Sequence, residues 1–82
     1  MTGMSVPLTQ LASREEGAVI NLSGGRGFVS RLATLGFTPG APLMMIQNYG
    51  HGPLIVSVRD TRIALGRGEA AHVLVRRKEA DA

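Results

Sequence analysis

Apolar positions change their period along this chain. Around Ala18–Leu22 the β-branched pair Val19 and Ile20 sits in a short apolar run, which predicts a first strand. Phe28, Leu32 and Leu35 then fall at i, i+4 and i+7. That spacing predicts a helix over Phe28–Leu35 with these three side chains facing inward. Gly36 is placed to end the helix, because glycine takes positive φ without penalty. Phe37 is expected to fold back on the last turn. After Thr38-Pro39-Gly40, a turn with Pro39 at its second position, the period falls to two. Pro42–Asn48 reads as a strand with Leu43 and Met45 on one face and Gln47 next in register. Leu54–Arg59 and Arg62–Leu65 follow, joined by a tight turn at Asp60-Thr61, and Val73–Arg77 closes the pattern.

Shorter segments fill the gaps. Pro7–Leu11 predicts a helical turn that Thr9 would cap, and Arg14–Gly17 a polar turn ending in glycine. Ser23–Gly27 reads as a flexible loop, Tyr49–Pro53 as a glycine-rich connection and Glu69–His72 as one helical turn. From Ala80 onward the chain is expected to fray. The fold class is therefore mainly β. About five strands are expected, with one short helix inserted after the first and a helical turn before the last. Strands this short protect their edges by curling, so a small SH3-like barrel is the economical arrangement. All 82 residues form one domain, with a core spanning about residues 7–77.

Composition narrows the function. At 44% hydrophobic and 18% charged, the chain has enough apolar surface to fold. It contains no cysteine, which excludes disulfide scaffolds, thiolate catalysis and cysteine-held metals. Met1–Pro7 lacks a basic region and an apolar core, so no secretory signal is expected, and no apolar run approaches membrane-spanning length. A soluble, cytoplasmic protein is the expectation. Nine basic residues against six acidic ones give a net charge of +3. The excess is concentrated between Gly24 and Lys78, where eight basic residues face only Asp60 and Glu69. A basic middle either keeps the surface solvated or favours an acidic partner.

The segment Arg31-Leu32-Ala33-Thr34-Leu35-Gly36-Phe37-Thr38-Pro39-Gly40 resembles the R-L-x-x-L-G-[LF]-x-P-G signature of the ferrous iron transport protein A (FeoA) family. Gly52-Pro53-Leu54-Ile55-Val56 is similar to its G-G-P-[IL] segment, and Thr61-Arg62-Ile63-Ala64-Leu65 to its T-R-[IL]-A-L strand, with Glu69-Ala70 after it. Pro7-Leu8, Leu11 and Gly17 resemble its opening. The pieces run in order from Pro7 to Val75. Val29 and Thr34 depart from the charged residues common in such helices. The resemblance implies an SH3-like barrel and a cytoplasmic accessory role beside a membrane ferrous iron transporter with a GTP-binding domain. It also implies kinship with the SH3-like domain of metal-dependent repressors, although 82 residues leave no room for a DNA reader.

Candidate chemistry is sparse. Gly24-Gly25-Arg26-Gly27 opens a helix but lacks the lysine and hydroxyl of a P-loop. An arginine offered in trans to a partner's nucleotide would have to be Arg26 or Arg31. If Phe28, Leu32 and Leu35 pack inward, Arg26, Val29, Arg31 and Thr34 lie on or near the outer side of the helix. They are the candidate partner-binding residues. His51 and His72 are the two histidines, and Glu69 lies at i, i+3 from His72. Together they are the candidate ligands for a weak ferrous or zinc site, far short of a regular three- or four-ligand set. No cofactor is required. There is no nucleophile–base pair and no paired carboxylate, so no enzyme is expected. With Phe28 and Phe37 claimed by the helix, Tyr49 alone is a poor platform for stacking bases, and nucleic acid is not the expected partner. A homodimer is compatible with the sequence but not derivable from it. The membrane would be reached only through the transporter.

Overall fold

A computed structural model describes residues 5–78 of the chain. In order it contains β1 (Ser5–Pro7), a 3-10 turn (Leu8–Gln10), β2 (Glu16–Leu22), α1 (Arg26–Thr34), β3 (Pro42–Gln47), β4 (Leu54–Val58), β5 (Thr61–Leu65), α2 (Arg67–Ala70) and β6 (Val73–Arg77). The six strands pair antiparallel in one sheet, ordered β1-β6-β2-β3-β4-β5. The mainly-β class is as expected, but the sheet is not closed, and β1 and β5 remain as its edges. Among the described residues there are six strands rather than about five. β1 is only three residues long, ends in Pro7 and offers no alternation to read. The inserted helix accordingly follows the second strand.

Burial follows the pleat. Leu54, Val56 and Val58 of β4 point inward, as do Leu43 and Met45 of β3 and Val73 and Val75 of β6. Each such side chain stabilises the fold by about 1.5–3 kcal/mol. Bulges at Val19/Asn21 and Met45/Gln47 reset the register and bend the sheet around this core. Gln47 is only half-buried past its bulge.

Several local expectations are corrected. α1 begins at Arg26, two residues early, and Leu35 is 37% exposed rather than packed inward. The reason is Gly36. At φ 110° it turns the chain so that Phe37, not Leu35, enters the core, where it is fully buried. The tight turn between β4 and β5 is Arg59-Asp60, both at positive φ, and Thr61 already belongs to β5. Thr9 lies inside the 3-10 turn and does not cap it, since Pro7 holds the capping position without a side-chain bond. Gly17 is not a turn residue but sits buried inside β2, where a Cβ would come within 2.7 Å of the Arg76 carbonyl oxygen. α2 starts at Arg67, so His72 follows the helix. The Thr38–Ala41 turn is as expected. The Ala41 N–H donates to the Thr38 carbonyl at 2.9 Å, and Gly40 takes φ 88°, as a type II turn with Pro39 at i+1 requires. The expected fraying from Ala80 lies outside the described residues.

Candidate interaction surface

α1 stands on the core through one fully buried side chain, Leu32. Phe28 is half-buried and meets the His72 ring edge-on, with centroids 6.1 Å apart. Of the four helix residues singled out, Arg26, Arg31 and Thr34 are exposed, whereas Val29 is half-buried. The Thr34 hydroxyl donates to the Ser30 carbonyl at 2.9 Å, so one side of this surface is already satisfied locally. The first turn of α1 contains no acidic residue, and Gly25 at its N-cap provides no side-chain bond.

Arg31 and Glu69 are brought together. The Arg31 Nη2 donates to Glu69 Oε2 at 2.5 Å and ties α1 to α2 across the surface. The other carboxylate oxygen accepts the Gly66 N–H at 3.2 Å, closing the start of α2. The Gly66 N–H bond and then the Arg31 guanidinium hold the Glu69 carboxyl below its ordinary value. Glu69 is thus engaged on both oxygens. His72 lies beside Ser23, with Oγ and Nδ1 3.4 Å apart. It helps line an open cavity of about 260 Å³ together with Asn21, Ser23 and Leu74. His51 is exposed in the β3–β4 connection. His51, Glu69 and His72 do not gather: among the described residues no three His, Asp or Glu side chains are grouped to hold a metal.

Asn48, which carried no expected role, organises a second tie that also reaches α2. Its side-chain amide donates to the carbonyls of Thr9 (3.1 Å) and Leu11 (2.6 Å). Its side-chain oxygen accepts from the Gly50 N–H (3.0 Å) and from Arg67 Nη2 (2.8 Å). That fills the full capacity of an amide side chain. Arg67 also donates to the Gly52 carbonyl at 3.0 Å. One residue therefore joins the 3-10 turn, the β3–β4 connection and α2. The only sequence signal was local: Asn with Gly two residues on fits an Asx-turn. The long-range partners have no signature.

No helix among the described residues is long and apolar enough to cross a membrane.

A family model described as the FeoA domain matches residues 6–77. A Methanocaldococcus jannaschii protein named Fe(2+) transport protein A is 36% identical over 69 residues, covering 84% of this chain and 83% of its own. A crystal structure of an iron uptake regulatory protein (FeoA) superposes with a TM-score of 0.84 at 37% identity, covering 92% of this chain and 100% of that one. The Stenotrophomonas maltophilia FeoA, an SH3 domain protein crystallised with zinc, gives a TM-score of 0.75 at 31% identity and covers 88% of each chain. In fold alone, the likeness extends to a manganese-dependent transcriptional repressor, with a TM-score of 0.82 at 18% identity over 95% of this chain and 44% of that one.

Proposed function

The chain belongs to the FeoA family, and on that premise we propose that it is a cytoplasmic accessory protein of ferrous iron uptake. It binds the cytosolic part of a GTPase-containing ferrous iron transporter and tunes it without catalysis of its own. The observation that carries the contact face is α1. A nine-residue helix with a single buried residue presents most of its surface to a partner, and Arg26 at its start joins no ion pair among the described residues. Arg26, Val29 and Thr34 form the contact, while Arg31 is shared with Glu69.

The test is a titration of isotope-labelled protein with the transporter's cytosolic GTP-binding domain, loaded with GDP and then with a GTP analogue. Backbone amide shifts should cluster on residues 24–40. Arg26→Glu should weaken binding about tenfold, chiefly through the association rate, while changing stability by no more than about 0.5 kcal/mol. Silence with the domain in both nucleotide states and with detergent-solubilised transporter removes the reading.

A metal-carrying role is the second reading, favoured by the zinc-bound Stenotrophomonas relative. Its cost here is that a ligand role for Glu69 must displace Arg31. Anaerobic calorimetry with Fe(II) decides it: binding tighter than about 1 mM, roughly 4 kcal/mol, would revive a carrier.

A further inference from the structure

The sheet ends at β5, and the pairing there determines which backbone groups face outward. The β4–β5 hairpin has a two-residue loop, Arg59-Asp60, with φ of 51° and 63°. That is type I′ geometry, in which the flanking pair exchanges both backbone hydrogen bonds and bonding then alternates along the strand. The register is Val58 with Thr61, Ser57 with Arg62, Val56 with Ile63, Ile55 with Ala64 and Leu54 with Leu65. Thr61, Ile63 and Leu65 therefore direct their N–H and C=O groups at β4. Arg62 and Ala64 direct theirs away from the sheet. Among the described residues no turn, loop or cap bond reaches either one. The side chains divide the other way: Ile63 and Leu65 enter the core, and Arg62 and Ala64 are exposed. Arg62 joins none of the ion pairs among the described residues.

We propose that the β5 edge accepts an extended acidic segment of a partner protein as a seventh strand, pairing with the open N–H and C=O groups of Arg62 and Ala64. A carboxylate of that segment faces Arg62 on the outer side, and an apolar residue lies over the edge of Ile63. Main-chain bonds supply the affinity and the alternating side chains the selectivity. Charge favours this occupant over a second copy. Pairing two β5 strands about Ile63 sets Arg62 opposite the second copy's Ala64 and leaves the two Arg62 side chains diagonal on one face, about 7–8 Å apart. Each chain also carries +3. The edge uses no α1 residue, so the inference does not depend on the helix as the contact with the transporter.

The experiment is amide hydrogen exchange on the full chain, with and without a capped hexapeptide of alternating glutamate and valine. A lysine–valine peptide serves as the control. Arg62 and Ala64 amides should exchange quickly in the free protein. They should slow about tenfold once nine sites in ten are filled by the acidic peptide, while the lysine peptide leaves them unchanged. Ala64→Pro removes an outward N–H at a position an edge strand tolerates, and should abolish the protection. Arg62→Glu should reverse the peptide preference, and it keeps the test open if the proline variant fails to fold. Equal protection by both peptides overturns the proposal, as do protection of both amides in the free monomer and a concentration-dependent dimer that occupies the edge.

Discussion

Two polar ties, one at Asn48 and one between α1 and α2, hold α2 in place, and they are built differently. At Asn48 one neutral amide makes four part-buried or loop-anchoring bonds, and three of the four partners are backbone groups. At the α1–α2 corner the tie is an ion pair, Arg31 with Glu69, whose side chains are 56% and 41% exposed. A neutral node bonded to main chain depends little on salt or pH. An exposed pair is screened by salt and can be exchanged for a partner's charge. The first tie holds the fold, whereas the second, beside α1, can be rearranged. This division places the adjustable surface where the proposed contact lies.

The sharpest way to break the comparison is Asn48→Ala. It orphans the Thr9 and Leu11 carbonyls, the Gly50 N–H and one arm of Arg67 at once. At about 0.5–1.5 kcal/mol net per bond, with water recovering part, the loss should be about 2–4 kcal/mol by urea denaturation. That is a large share of the 5–15 kcal/mol typical of a domain. Asn48→Asp keeps the size and the Arg67 contact but sets an anionic oxygen against two carbonyls, so it should cost nearly as much. A loss under about 1 kcal/mol for Asn48→Ala would mean that water replaces the node and the contrast is false.

Gly36→Ala should come next. Gly36 sits at φ 110°, and a Cβ there would lie 2.7 Å from the Arg59 Cδ. Arg59 in turn donates to the Thr38 hydroxyl at 3.2 Å, so the β4–β5 hairpin leans on the exit of α1. The expected cost is about 1–3 kcal/mol from backbone strain and the clash together. In an Arg59→Ala background the clash disappears and only the strain remains. A smaller penalty there would separate the two causes. An unchanged penalty would assign everything to φ.

Much of this molecule was legible in its sequence, for identifiable reasons. In β5, Ile63 and Leu65 alternate with Arg62 and Ala64 because one face is buried, and period two records that. Gly36 and Gly40 were legible because their φ values exclude most other residues. β1 was not, since three residues ending in proline carry no period. Leu35 misled because helical spacing describes a face, not where the helix stops, and the Gly36 turn gave the core position to Phe37. Arg59-Asp60 as a positive-φ turn was hidden because neither residue is glycine or asparagine. At the candidate surface, Arg26, Arg31 and Thr34 could be placed on the outer side from spacing alone, with Val29 only half so. The Arg31–Glu69 pair spans 38 positions and Asn48 to Thr9 spans 39. Such pairings depend on how the strands close in space, and local pattern does not encode them.

The smallest predicted effect concerns pH, and it probes the adjustable corner alone. The Glu69 carboxyl is held below its ordinary value of 4.5 by the Gly66 N–H and then by Arg31. A carboxyl lowered on folding stabilises the fold above its unfolded value, and that contribution is lost as pH falls through the folded value. Glu69→Gln keeps an oxygen for Gly66 but removes the charge. The gap in stability between the natural chain and this variant should therefore be constant from pH 7 to about 5 and close progressively below 4.5. The Glu15–Arg77 and Glu16–Lys78 pairs are common to both proteins and cancel in the difference. Because the pair is exposed, about 1 M salt, with a screening length near 3 Å, should narrow the gap at neutral pH. The variant should also free Arg31. If Arg31 serves the same partner as Arg26, Glu69→Gln should strengthen partner binding even as it slightly weakens the fold. A gap that stays constant down to pH 3 would show that the Glu69 charge contributes nothing, and the α1–α2 corner would then be held by packing rather than by an exchangeable pair.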